Sequence, residues 1–144
     1  MSAQTKTIYL THEEYRRIQI YEKRYRNQAR KIFNDRVVYF HRLTGGNYTS
    51  ITIRDQKSRW GSCSTRGTLS FNYRLIFAPP EILDYVVVHE LCHLTHMNHS
   101  KEFWNMVESI LPDYKTRKLW LREHESELTL PAHLEKVGIP IKLT

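Results

Sequence analysis

The stretch DYVVVHELCHLTHMNH, residues 84–99, decides what kind of fold this chain can adopt. It contains an HExxH motif at His89, Glu90 and His93. Four residues apart on a helix, two histidines project from one face on successive turns, so both imidazoles can reach one metal ion. Three valines precede the motif and a leucine follows it, which places this helix in a core. The stretch therefore predicts a buried helix that carries a metal site.

The third ligand of such a site has two candidates downstream. His96 shares the helical face, but at 1.5 Å per residue it lies about 10 Å along the axis from His89. His99 can return to the metal only if the helix ends and the chain turns near Met97 and Asn98, where Asn tolerates a left-handed helix end. The spacing favours His99, and His96 stays open as the alternative.

This set of residues suits hydrolysis at a metal centre. Zn²⁺ held by three imidazoles keeps a fourth position open and brings the pKa of a water molecule toward neutrality. Glu90 lies beside the metal without binding it and is predicted to act as general base and acid. The competing explanation is a chance HExxH on a solvated helix, which the apolar flanks disfavour. Candidate donors for a developing oxyanion are, by residue chemistry, Arg59, Tyr73, Arg74 and His96.

Three further segments carry a family resemblance. They are SRWGSCS at 58–64, LSFNYRL at 69–75 and NHSKEFW at 98–104. Together with the HExxH stretch they make the chain resemble the YgjP-like metallopeptidase domain, most strongly over residues 48–122. Some residues in these segments have a competing role, which is to brace the sheet against the helix: Arg59, Trp60 and Asn72.

The resemblance implies a zincin fold and specific roles for residues. It implies that His89, His93 and His99 are zinc ligands and that Glu90 is the catalytic acid and base. In zincins an extended substrate typically pairs with the strand before the metal helix, which corresponds here to residues 68–75. The arrangement is also similar to that of SprT-like proteases, which cleave proteins crosslinked to DNA, and this indicates a possible substrate class without establishing it.

The length of 144 residues suits a single domain, 1–144, with an α+β, zincin-like fold. We expect a basic helical N-terminal part at 1–47 and a core of sheet and metal site at 48–127. The C-terminal tail, 128–144, has no motif, and residues after Leu130 are expected to be loosely held.

The order of elements follows from local signals. Thr11 and Glu14 form a capping-box pattern, so a helix should begin there and run to Gly45. A small, mainly antiparallel sheet follows, because tight connections suit hairpins. The metal helix opens near Pro80. The predicted strands are 48–54, 58–64 and 68–77, and the predicted C-terminal helices are 100–111 and 114–127.

The N-terminal helix is strongly basic. Between residues 11 and 42 it has nine Lys and Arg residues against four Asp and Glu residues, which is +5 of the net charge of +7. Tyrosines interleave with these cations and could stack unpaired bases while the cations follow a phosphate backbone. We favour an ordinary solvated helix, whose core stripe consists of Tyr15, Ile18, Tyr21 or Glu22, Tyr25, Ala29, Ile32 and Phe33.

Composition limits the compartment and the class of protein. The apolar runs are too short to cross a bilayer, so no membrane partner is expected. The first residues lack a secretory signal pattern, which favours a cytoplasmic location. Cys63 and Cys92 are not spaced as a metal clip or redox pair, and we expect both to be buried, reduced thiols.

The leading hypothesis is a zinc-dependent metallopeptidase that hydrolyses protein or peptide substrates. A second hypothesis is a basic nucleic-acid-binding module with a structural zinc, whose closed site would need a fourth ligand such as Cys63. A third combines them as a DNA-stimulated protease that acts on DNA-bound proteins. Retention of Glu90 favours catalysis.

Overall fold

The computed structural model describes residues 10–141 and has the predicted α+β fold. Residues 1–9 and 142–144, which belong to the N-terminal part and the tail of the predicted domain, lie outside the described residues. The helices are α1 (His12–Thr44), α2 (Pro80–Cys92), α3 (Lys101–Ile110), α4 (Tyr114–His124) and α5 (Leu130–Lys136). The strands are β1 (Ser50–Arg54), β2 (Gly61–Cys63) and β3 (Thr68–Asn72), and 3-10 helices span Tyr73–Phe77 and Glu125–Glu127.

Helix α1 begins at the predicted capping box. The Thr11 hydroxyl accepts a hydrogen bond from the Glu14 amide at 3.1 Å, and the Glu14 carboxylate accepts one from the Thr11 amide at 2.8 Å. The helix ends where Gly45 adopts a φ of 65°, a conformation that favours glycine. At 33 residues it is about 50 Å long.

The predicted core face of α1 is correct from Tyr25 onward. Ala29 and Phe33 are fully buried, and Val37 continues the stripe. Tyr15 is 53% exposed, so its place in the predicted stripe is wrong. Glu14 is the buried residue at this end of the helix, at 1% exposure, and Tyr15 points about 100° around the helix from it.

The sheet is mixed rather than mainly antiparallel. Its strand order is β1-β3-β2, with β2 antiparallel to β3 and β1 parallel to β3. Strand β2 forms a hairpin with β3 through Gly67, which has a φ of 86°. After β2 the chain reverses direction in this hairpin, and β3 then lies between β1 and β2. Because β2 intervenes in the sequence, β3 runs in the same direction as β1.

Strand β3 is shorter than predicted because Asn72 ends it. The Asn72 side chain accepts a hydrogen bond from the Arg74 amide at 3.1 Å, which starts the 3-10 helix Tyr73–Phe77. The same side chain donates to the carbonyls of Gln56 at 2.6 Å and Arg59 at 3.1 Å. Asn72 therefore braces the loop before β2.

Helix α2 lies at the centre of the molecule, and Val87, Val88 and Leu91 have no exposed surface. Strand β3 joins α1 to the same core through stacked rings of Phe33 and Phe71, whose centroids are 4.7 Å apart. No helix within residues 10–141 is long and apolar enough to cross a membrane.

The tail is better packed than predicted as far as Leu134. Thr129 caps α5 by accepting a hydrogen bond from the Ala132 amide at 3.2 Å, and Leu134 is buried. The His133 ring stacks on Phe77 with centroids 4.4 Å apart. The overlooked signal was a Thr followed by a Pro in the first helical turn, which is a typical helix start.

Candidate metal centre

The metal helix ends earlier than the sequence indicated. Its last residue is Cys92, and the chain continues in tight turns in which the Thr95 and His96 amides donate to the Cys92 carbonyl at 3.2 and 3.0 Å. Asn98 is not left-handed, since no non-glycine residue among 10–141 has a positive φ. These turns replace the predicted helix end near Met97 and Asn98, because 3-10-type bonds already satisfy the last carbonyls.

Three histidine side chains converge after this turn. The Nε2 atoms of His93 and His89 are 3.3 Å apart, those of His93 and His99 are 3.1 Å apart, and those of His99 and His89 are 3.2 Å apart. Two nitrogens bound tetrahedrally to one zinc at 2.0–2.1 Å would be about 3.3 Å apart. The three nitrogens therefore have the spacing of ligands to one ion.

His96 does not join this group, and neither does Cys63. Within residues 10–141, the cluster of side chains that could hold a metal comprises His89, His93 and His99. His96 contributes its backbone instead, since its carbonyl lies 2.9 Å from Nδ1 of His93. A proton on Nδ1 satisfies this contact and leaves the lone pair of Nε2 directed at the other two histidines.

An aromatic wall from α3 fixes the orientation of the three imidazoles. The His93 ring stacks on Phe103 with centroids 4.4 Å apart, and the His99 ring stacks on Trp104 at 5.8 Å. His89 meets both aromatic rings edge-on. Helix α3 begins as predicted at Ser100, whose hydroxyl accepts a hydrogen bond from the Phe103 amide at 3.3 Å.

Burial favours the neutral form of His89 and His93, which is the form that binds metals. It lowers the pKa of His89 to about 3, with smaller contributions from His93, His99 and Lys118. Burial also lowers the pKa of His93. Protons therefore compete with a metal for these two rings less than they do for an ordinary imidazole.

Glu90 lies on the same helix and is 5% exposed. Burial raises its pKa to about 8, and the positive charge of Arg59 acts in the opposite direction. A Cβ atom at Gly61 would lie 2.9 Å from Oε2 of Glu90 and 3.0 Å from Cγ1 of Val86. The absence of a side chain at Gly61 is what lets strand β2 approach the Glu90 carboxylate.

A cavity of about 260 Å³ opens beside Glu90 and His89, and Trp60, Gly61 and Tyr85 form part of its wall. Its other side consists of four residues from α4 and the turn after it: Lys118, Leu121, Arg122 and Glu125. The cavity is large enough for water and part of a peptide to reach Glu90.

Two of the proposed oxyanion donors do not line this cavity and have structural roles instead. Tyr73 is buried, and its ring packs edge-on against Phe77 at 5.9 Å. Arg74 donates to the Gln56 carbonyl at 2.6 Å and the Leu128 carbonyl at 3.3 Å. Arg74 therefore supports the loop before β2, and Tyr73 is part of the core.

Several residues near the histidines were not found by sequence reasoning. Tyr85 had a usable signal, because it is four residues before His89 and so shares its helical face. Its ring meets His89 edge-on at 5.9 Å. Lys118 and Arg122 had no such signal, since α4 reaches the site only through tertiary packing.

Comparison with known structures and families identifies the fold. The chain is similar to the crystal structure of the metallopeptidase zymogen of Pyrococcus abyssi abylysin, with a TM-score of 0.57, 23% identity, and coverage of 63% of this chain and 93% of that one. It is also similar to the crystal structure of the metallopeptidase zymogen of Methanocaldococcus jannaschii jannalysin, with a TM-score of 0.53, 23% identity, and coverage of 66% of this chain and 94% of that one.

No curated protein matches the chain. Its residues 3–124 match the YgjP-like metallopeptidase domain, which spans the loop before β2, the sheet, α2 and the three histidines. Three histidines beside a buried glutamate are one of the residue sets with which metal-dependent peptidases work. The chain belongs to the YgjP-like metallopeptidase domain family.

Proposed function

We propose that this protein is a zinc-dependent metallopeptidase in which His89, His93 and His99 bind the zinc ion. The observation that carries the proposal is the triangle of three Nε2 atoms, 3.1–3.3 Å apart, at the C-terminal end of the helix that also holds Glu90. Three neutral imidazoles with an open fourth position are a typical donor set of catalytic zinc.

Glu90 is the general base and acid of the proposed reaction. When bound, zinc polarises the scissile carbonyl and makes a water molecule more acidic. Glu90 accepts a proton from the attacking water as the new C–O bond forms, and it donates that proton to the amide nitrogen as the C–N bond breaks. The hydrolysis consumes one water and leaves Glu90 in its starting state.

The substrate backbone is proposed to pair with β2 and not with residues 68–75. Strand β3 is bonded on both sides and has no free edge. The Asn72 amide donates to the Trp60 carbonyl, and the Ser64 amide donates to the Thr68 carbonyl. Backbone groups alternate in direction along an antiparallel strand, so those of Gly61 and Cys63 point away from β3. An added strand there would lie next to Glu90 and would tolerate many sequences.

The first test is zinc content, measured by elemental analysis on untagged protein purified without chelators. We expect about one zinc per chain, and we expect Glu90→Gln to retain it while losing hydrolysis of unfolded protein substrates. His99→Ala should weaken zinc binding, whereas His96→Ala should retain it. Full zinc retention in His99→Ala, or hydrolysis by Glu90→Gln, would contradict the assignment.

Stimulation by DNA is a second candidate property, and the exposed part of α1 favours it. Tyr15 is exposed there, and so are Arg16, Lys23 and Arg24. Cleavage of the same substrate with and without single-stranded DNA tests this, with reversal of Arg16 and Arg24 to Glu as the variant. Equal rates with and without DNA would rule it out.

A purely structural zinc is disfavoured, because Cys63 does not complete the site.

A further inference from the structure

Two cations on α4 lie next to the candidate metal centre without acidic partners. Lys118 and Arg122 are four residues apart, so they share one face of the helix. Both line the cavity that contains His89 and Glu90. Among residues 10–141, neither cation takes part in a salt bridge. Their charges are therefore available to a ligand in the cavity.

The aromatic wall holds Lys118 close to the histidines. Its Nζ atom lies 4.5 Å from the centroid of the Trp104 ring, a cation–π contact. The same indole ring lies 5.7 Å from the His89 ring and 5.8 Å from the His99 ring. Tyr114 stacks on Trp104 with centroids 5.3 Å apart. The Lys118 ammonium is thus anchored beside the metal centre on a rigid surface.

A second cavity of about 460 Å³ shares two lining residues, Lys118 and Arg122, with the first. Its lining has three cations and no carboxylate, and it consists of Trp104, Tyr114, Lys115, Lys118, Leu119 and Arg122. The first cavity is different, because two carboxyl groups, those of Glu90 and Glu125, line it together with the two cations. A peptide bound beside Glu90 in the first cavity has Lys118 and Arg122 in its wall, and both cations also face the cationic, partly aromatic second cavity.

We propose that Lys118 and Arg122 form a subsite that selects peptide substrates with a carboxylate near the cleaved bond. The inference rests on the proposed peptidase function and names the substrate class of that site. A carboxylate in the second cavity meets these cations and avoids Glu125, which lines only the first. It can come from an Asp or Glu side chain or from the C-terminus of the substrate.

The test uses quenched fluorescent peptides that differ at one position next to the cleaved bond, Glu, Gln or Lys, each with a free or an amidated C-terminus. We expect the wild-type kcat/KM to be about three- to tenfold higher for a peptide with the carboxylate than for its neutral match, as exposed ion pairs allow. Lys118→Glu and Arg122→Glu should abolish this preference or reverse it toward Lys. High salt should also weaken it.

The matched control is Lys31→Glu, which makes the same charge change at an exposed position of α1 that lines neither cavity. It should leave the preference unchanged. A preference lost on Glu→Gln assigns the carboxylate to a side chain, and one lost on amidation assigns it to the C-terminus. Equal kcat/KM for all peptides in the wild type, or an unchanged preference in both α4 variants, would overturn the subsite.

Binding separates this inference from the proposed function. Fluorescence anisotropy of the same peptides with Glu90→Gln measures recognition without turnover. If no peptide is cleaved by the wild type, the peptidase proposal fails, yet the subsite is still decided by binding. A higher affinity for the carboxylate peptide that disappears in the Glu90→Gln, Lys118→Glu double variant supports it, and equal affinities reject it.

Discussion

Gly61 shows how a single residue can define the candidate site. It is the point where strand β2 comes closest to α2, and a methyl group there would meet Oε2 of Glu90 at 2.9 Å. Real Cβ atoms do not tolerate such a distance, so either the carboxylate or the strand must move. The role of Gly61 is close approach and not an unusual backbone angle, since it is not among the glycines with positive φ.

We expect Gly61→Ala to retain zinc and to lower kcat/KM by about 10- to 100-fold, because small displacements of a catalytic group have effects of this size. Zinc content and peptide hydrolysis are the measurements. Ser62→Ala on the same strand is the control and should stay close to the wild-type rate. Wild-type activity in Gly61→Ala would show that the Glu90 carboxylate tolerates displacement.

The reactivity of the Cys63 thiol should depend on pH in a way that its surroundings determine. Burial, with a contribution from Glu90, raises the pKa of its thiol to about 11. Relative to an ordinary value of 9.0, the thiolate fraction near neutral pH falls about 100-fold. Alkylation by iodoacetamide, followed by peptide mass spectrometry, should be slow at pH 8 and should rise toward pH 11. A midpoint near 9 would contradict the burial argument.

The same rise in the pKa of Cys63 determines how the free energy of unfolding depends on pH. The folded state favours the protonated thiol, so this contribution is complete below the ordinary pKa of 9.0 and is lost as the pH rises through about 11. The free energy of unfolding should therefore fall in alkaline solution. Cys63→Ser should reduce that fall, which urea unfolding at pH 8 and pH 11 can measure.

At the scale of elements, α1 and α2 are joined by a polar clamp as well as by the core. The Arg36 guanidinium donates to both oxygens of Asp84 at 2.8 and 2.9 Å. This hydrogen bonding raises the pKa of Arg36. Asp84 lies in the second turn of α2, five residues before His89, so the clamp fixes the helix that carries the candidate centre. Two parallel bonds restrict the angle between the helices more than one bond can.

A double-mutant cycle of Arg36→Ala and Asp84→Ala should give a coupling energy of about 1 kcal/mol, because the pair is partly exposed but bidentate. Urea unfolding measures this energy, and zinc content should stay at the wild-type value in all variants. The Arg117–Asp113 pair, which joins α4 to its own N-cap residue, is a suitable comparison and should couple by about 0.5 kcal/mol or less. Additive effects at Arg36 and Asp84 would show that the clamp contributes nothing.

At the scale of the whole molecule, the described residues have an apolar core that does not depend on a metal. Phe33, Leu69, Leu91 and Phe103 are fully buried, and they connect α1, the sheet, α2 and α3. The three histidines sit at the edge of this core, with His99 exposed. We therefore expect removal of zinc to loosen one side of the molecule and to leave the fold in place.

Metal removal should lower the thermal midpoint without unfolding the protein at 25 °C. Free zinc at 100 times its Kd stabilises the folded state by about 2.7 kcal/mol. For a chain of this size that corresponds to a shift of about 5–10 °C. Calorimetry with and without a chelator measures the shift, and far-ultraviolet circular dichroism checks the fold. A midpoint unaffected by the chelator would argue against a bound zinc ion.

The sequence by itself determined the features that depend on short spacing. The capping box at Thr11, the N-cap at Ser100 and the four-residue interval between His89 and His93 act within one or two turns of helix, where neighbours along the chain are neighbours in space. The choice of His99 over His96 also followed from helix geometry, and the structure brings His99 to the other two. The assignment of residues 1–144 to one domain stays a prediction.

Only the tertiary structure decided which distant elements meet at the centre. Strand β1 lies parallel to β3 because β2 intervenes between them in the sequence. Among the described residues β2, and not β3, is the edge strand beside Glu90. Lys118 and Arg122 reach the cavity from α4, and the packing of α5 against Phe77 orders a tail that carries no motif. Such contacts depend on how buried faces fit together in three dimensions, and no local pattern in one sequence encodes that fit.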